Sequence, residues 1–180
     1  MKIRDLASKI IVTSGTYFGS DSVHAGIIDA SYLEDHVVDL ESRKPSKTAP
    51  VSPVNVLAPG DIVVGLSLDY FDRHVSAVGM YLPETAEPLS PSANTRVLRP
   101  NSRVAGASLL AGLIARMPRK NFFWQGIQGE EVELLTEERA EKFIELLRRI
   151  HELRVNHRKT GKLLGELALS VAYKFSQKDV

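Results

Sequence analysis

Nine prolines punctuate this chain, yet none falls in the forty-one residues from Thr136 to Ser176. Thr136 suits a helix N-cap, and Glu137 and Glu138 in the first turn suit the positive end of a helix dipole. Phe143, Leu146, Ile150, Leu153, His157, Thr160, Leu164, Leu167 and Val171 recur at alternating spacings of three and four. That is a heptad seam with a polar break at His157 and Thr160. Such a helix is roughly 60 Å long at about 1.5 Å per residue. It is too long to lie along its whole length against a domain built from the rest of a 180-residue chain, so it needs a second helix beside it. Two shorter helices broken near Gly161 and folded back on each other remain open, since a helical glycine costs only about 1 kcal/mol. The seam keeps its phase across that glycine, however, which a hairpin would not require.

Residues 1–133 have another character. Ile10-Ile11-Val12, Val37-Val38, Ile62-Val63-Val64 and Arg96-Val97-Leu98 read as strands, being β-branched and bounded by Gly, Pro, Ser and Asn. Pro59-Gly60-Asp61 signals a tight turn before the Ile62 strand. Ser42 to Pro53, with three prolines and three basic residues, reads as an exposed loop, and Pro83 to Ser92 as another. Ala105 to Met117 has helical spacing at Leu109, Leu110, Leu113 and Ile114, with Pro118 to stop it. The expected class is α+β: an irregular mixed-sheet domain over residues 1–133, then one long coiled-coil helix over 134–180.

With no cysteine, the chain has no disulfide, thiol catalysis or thiolate zinc site. Its net charge of +1 makes no global case for nucleic acid, so any binding face must arise from local segregation of charge. There is no apolar leader at Met1–Leu6, and the apolar run near Ala105–Ile114 is too short to span a bilayer. A cytoplasmic protein without a membrane segment is expected. No phosphate-binding loop, dinucleotide fingerprint or Gly-x-Ser-x-Gly motif occurs, so a non-enzyme with no cofactor is expected.

Several segments, in order, carry a likeness. Arg4-Asp5-Leu6-Ala7-Ser8 leads to Ser14-Gly15-Thr16, and Gly26-Ile27-Ile28-Asp29-Ala30-Ser31-Tyr32-Leu33 follows. Leu57-Ala58-Pro59-Gly60-Asp61-Ile62-Val63-Val64 precedes Ser92-Ala93-Asn94-Thr95-Arg96-Val97-Leu98-Arg99-Pro100, and Leu163 to Phe175 closes the helix. Together they resemble one repeat of a type I restriction–modification specificity subunit: a target recognition domain followed by the family's conserved helix. The chain departs from the family's proline pair and Glu-Gln at the helix entry, where it has Leu134-Leu135-Thr136-Glu137-Glu138-Arg139. The resemblance implies a non-catalytic subunit that reads double-stranded DNA for a separate DNA adenine methyltransferase, with a restriction subunit as a further partner. Full-length members carry two domains and two helices, so a homodimer through the helix is implied, with Phe143, Leu146, Ile150, Leu153, Leu164, Leu167 and Val171 at its interface. Symmetry then implies a bipartite DNA site.

Reading DNA requires cations on phosphates and side chains that reach base edges. Ser67 to His74 mixes charged and aromatic residues after a strand end, which makes Ser67, Tyr70, Arg73 and His74 candidates. Lys44 and Lys47, with neighbouring Arg43, are candidates for phosphates, as are Arg119 and Lys120, with Arg116 nearby. For each, the competing reading is solvated surface. Asp69, Asp72 and His74 raise the alternative of a metal-dependent nuclease, although three ligands within six residues of one loop seldom converge. His151 and His157 lie roughly 240° apart around a helix and cannot share a metal. Phe122, Phe123 and Trp124 suit either base stacking or a buried hinge between domain and helix. A coiled-coil adaptor with a protein-binding domain is the remaining alternative.

Overall fold

The computed structural model describes residues 1–12, 16–40, 44–67, 74–82, 87–117 and 123–176. Strands β1 (Ala7–Val12), β2 (Val23–Ile28), β3 (Leu33–Glu34), β4 (Val37–Val38), β5 (Thr48–Val51), β6 (Ile62–Leu66), β7 (Val75–Met80), β8 (Leu89–Pro91) and β9 (Thr95–Pro100) form two sheets. The larger has the order β1-β9-β6-β7-β4-β3 and the smaller β5-β2-β8. Both are mixed: β4 runs parallel to β7, and β2 parallel to β8. Helices α1 (Ile3–Leu6), α2 (Arg103–Ile114) and α3 (Glu137–Ser176) complete the fold.

The larger sheet is the middle of three layers. Side chains alternate faces along a strand, and β6 is buried on both of them. Ile62, Val64 and Leu66 join Val78, Met80 and Leu98 beneath the helices. Val63 points the other way and packs with Ile11, Val97, Tyr81 and the smaller sheet's Ile28 and Leu89. The unbroken apolar run at Ile62 is therefore a strand covered on both faces. Helix α2 is buried nearly all round, through Ala105, Ala107, Leu109, Leu110 and Leu113, which is why its sequence shows so little amphipathic contrast. It starts two residues before the expected Ala105, where Ser102 caps it by accepting the Ala105 N–H at 3.1 Å.

Both segments read as loops contain a strand. Thr48–Val51 (β5) lies inside Ser42–Pro53, and Leu89–Pro91 (β8) inside Pro83–Ser92. Each is an edge strand of the smaller sheet, the position where a proline's missing N–H is tolerated.

Helix α3 runs unbroken through Gly161 and Gly165, so the folded-back pair is not formed. Thr136 caps it as expected, its Oγ1 accepting the Arg139 N–H at 3.3 Å. Ala140, Ile144, Leu147, His151 and Val155 are buried against the domain. From Lys159 onward every described side chain is exposed, and the helix projects for roughly 27 Å at about 1.5 Å per residue. Its docked half is latched by charge. Arg158 donates to Asp39 at 2.8 Å and also meets Glu34, while Arg154 pairs with Asp35. The hydrogen bond to Asp39 holds the Arg158 guanidinium above its ordinary range. Buried His151 places Nε2 4.0 Å from an Asp39 oxygen. These acids sit on and just after the β3–β4 hairpin, whose two turn residues, Asp35 and His36, have φ of 51° and 61°. Positive φ at both positions is the geometry of a two-residue hairpin turn.

Candidate nucleic-acid interface

One end of the larger sheet collects several of the described residues singled out in the sequence. Val12 pairs with Arg96, Gly65 with Thr95 and Leu66 with Val75, so β1, β6, β7 and β9 share this rim. Backbone hydrogen bonds continue it sideways. The Ile27 N–H donates to Lys47 O at 2.9 Å, Ser92 N–H to Ile28 O at 2.7 Å and Leu66 N–H to Asn94 O at 2.9 Å. The Ser67 N–H donates to His74 O at 2.9 Å, closing the mouth of the β6–β7 connection. His74 then bridges to Phe123, with ring centroids 4.3 Å apart.

Lys47, far from them in sequence, is thus joined along one edge to Ser67 and His74, which face each other across the β6–β7 connection. Lys44 is tied to the same side, its carbonyl accepting from the Tyr32 hydroxyl at 3.3 Å, and both lysine side chains are exposed. Val12, Ser67, His74 and Phe123 flank the segments 13–15, 68–73 and 118–122. Tyr70, Arg73, Arg119 and Lys120 fall in those segments and lie outside the described residues, as do Arg43, Asp69, Asp72 and Phe122. Among the described residues, no three His, Cys, Asp or Glu side chains are grouped to hold a metal ion.

Local chemistry builds the rim. Asp29, directly after β2, accepts the Ser31 N–H at 2.8 Å and starts the 3-10 turn Ala30–Tyr32. That turn packs against β6 at Gly65, where a Cβ would lie 2.5 Å from the Ala30 Cβ. Arg96, which the sequence marks only as a strand residue, is buried. It turns its guanidinium onto the carbonyls of Ala93 and Thr95, at 2.8 and 2.7 Å, which fixes the turn between β8 and β9. A basic residue between the β-branched Thr95 and Val97 is the available signal.

Arg116 is not free for phosphate. It pairs with Glu130 at 3.0 Å, and also donates to the carbonyls of Gly112 and Glu131. Trp124 packs against the core cluster that holds Ala140, Ile144 and Leu147 of α3, the hinge arrangement rather than a stacking platform. On the seam, Phe143 is half-buried against that same cluster. Leu146, Ile150, Leu153, Leu164 and Leu167 are exposed, and the side chain of Val171 lies outside the described ones. Among the described residues, no helix is long and apolar enough to cross a membrane.

The fold is shared with solved structures. An HsdS subunit from Thermoanaerobacter tengcongensis matches with a TM-score of 0.55 at 17% identity, over 89% of this chain and 38% of that one. A structure concerned with complex assembly and conformational transition of the type I R-M system matches with a TM-score of 0.54 at 15% identity, over 94% of this chain and 42% of its own. This chain therefore spans about two fifths of the length of those it matches. The mixed-sheet domain with its long helix is the fold expected from the specificity-subunit resemblance. No family model matches, and no curated protein matches in sequence.

Proposed function

We propose that this chain is a DNA-reading subunit of a type I restriction–modification system. It recognises double-stranded DNA and directs a separate adenine methyltransferase, and a restriction subunit where one is present, to a bipartite site. The chain is non-catalytic and pairs with a second copy through α3. The observation that carries this reading is the match to an HsdS subunit over nearly the whole chain, helix included. The rim supports it, because two exposed lysines, a serine and a histidine lie along one edge. The exposed seam supports the pairing.

The test is binding to specific and scrambled duplexes at several salt concentrations, with the cognate methyltransferase present. Arg73→Ala is expected to cost about 1–3 kcal/mol and relax preference at one base pair, as removal of a bidentate guanine interaction does. Replacing Lys44 and Lys47 is expected to weaken all sequences alike and to flatten the salt dependence by about 0.9 for each phosphate no longer neutralised. If all three substitutions are silent, the rim does not read DNA. Incubated alone with magnesium or manganese, DNA and a methyl donor, the chain is expected neither to cut nor to methylate. Methyl transfer by the chain alone would overturn the non-catalytic assignment.

A further inference from the structure

A cavity of about 530 Å³ opens at the other end of the larger sheet, between the Pro59–Gly60 turn, the start of α2 and the first third of α3. Its volume falls within the roughly 300–1,000 Å³ of small-ligand sites. Met80, Leu82 and Ile144 give it apolar walls, and Arg99, Arg103 and Arg148 also line it. Arg99 is neutralised by Asp61, at 2.8 Å. Arg103 and Arg148 are not: among the described residues neither has an ion-pair or hydrogen-bond partner. Two uncompensated guanidiniums therefore border one partly apolar hollow. The N-cap residue Ser102 lines it too, so the positive end of the twelve-residue α2 dipole adds to the same field.

We propose that this cavity binds a small organic anion, a carboxylate or phosphomonoester head on an apolar body. Guanidinium forks match both planar carboxylate and phosphate oxygens. The body fills the space against Met80, Leu82 and Ile144. The site stands apart from both surfaces already assigned. Met80 pairs with Ile62 at the opposite end of the strands from the Gly65–Thr95 rim. At about 100° per residue, Arg148 projects roughly 160° around α3 from Leu146, away from the seam. The ligand can thus be held while DNA and a second helix are bound, and the inference does not rest on the DNA-reading proposal.

The experiment is an amide-resonance titration of the isotope-labelled chain with phenyl phosphate, inorganic phosphate and benzyl alcohol as probes. Phenyl phosphate is expected to move the Gly60, Ser102, Arg103 and Gly106 amides saturably. It should bind at least about tenfold more tightly than either half-probe, a difference of about 1.4 kcal/mol. Arg103→Ala and Arg148→Ala should each weaken it about tenfold and leave the β6 and β7 amides in place, since both side chains are exposed. Equal affinity for phenyl phosphate and inorganic phosphate overturns the proposal, as do shifts spread over other surface cations or two silent variants.

Discussion

Replacing Arg99 with alanine is expected to destabilise the domain by about 3–5 kcal/mol, the cost of stranding one member of a buried ion pair. Asp61 is only 1% exposed, and Arg99 donates to both of its oxygens, from Nε at 3.0 Å and Nη2 at 2.8 Å. Those hydrogen bonds hold the Arg99 guanidinium above its ordinary range. The same carboxylate accepts the Ala58 N–H at 2.8 Å and so closes the turn in which Gly60 has φ of 87°. Arg99 also donates to Val56 O at 2.9 Å, which ties the preceding segment to β9. Asp61→Ala should cost less than Arg99→Ala, because the stranded arginine keeps 28% of its side chain in water. The double variant should fall well short of the two single losses added together, since neither charge is then left alone. Urea unfolding of all four proteins measures this, and simple additivity would refute the coupling. Two of the segments that resemble the family, those holding Leu57–Ile62 and Asn94–Pro100, are thus two halves of one structural contact. Their likeness reports how the domain is held together, not where it acts.

That division explains what the sequence could reveal. Strand β6 was legible because both faces of the sheet are covered, so its apolar run is uninterrupted. Strands β5 and β8 were not, because each carries a proline that only its edge position permits. The seam of α3 was legible because its period is heptad and its residues are leucine and isoleucine. The stripe that docks α3 on the domain was not. Ala140, Ile144, Leu147, His151, Val155 and Arg158 follow the straight-helix period of about 3.6, but one is small, one titratable and one charged. His151 and Arg158 face Asp39, more than a hundred residues earlier in the chain. The rim shows the same limit. Lys47, Ser67 and His74 could each be named as candidates, but what joins Lys47 to the Ser67–His74 connection is backbone pairing between distant strands, which no local pattern encodes. Of the residues on which the strongest base-contact expectation rests, Tyr70 and Arg73 lie outside the described part of the fold.

The two periods on α3 also set up the second large effect. A stripe repeating every seven residues drifts by about 20° per heptad on a straight helix. The seam therefore abuts the docking face at Phe143 and turns progressively away from it toward Leu167. Leu153 is 69% exposed and Leu164 61%, so neither contributes to holding the single chain together. Changing both to aspartate should leave the unfolding of the individual chain nearly untouched, with surface substitutions typically within about 0.5 kcal/mol. If the seam is where two copies pair, the same change places two unpartnered carboxylates in that interface at a cost of several kcal/mol. Every 1.4 kcal/mol is about tenfold in dissociation constant, so self-association should weaken by at least about a hundredfold. Light scattering at low micromolar concentration should then fall from the mass of two chains to that of one, while the far-ultraviolet helix signal of the separate chain persists. An unchanged mass for the double variant, or an unsubstituted protein already at the mass of one chain, would remove the pairing from the proposed function. The likeness of fold would still stand, and the exposed leucines would have to belong to a contact with a different protein.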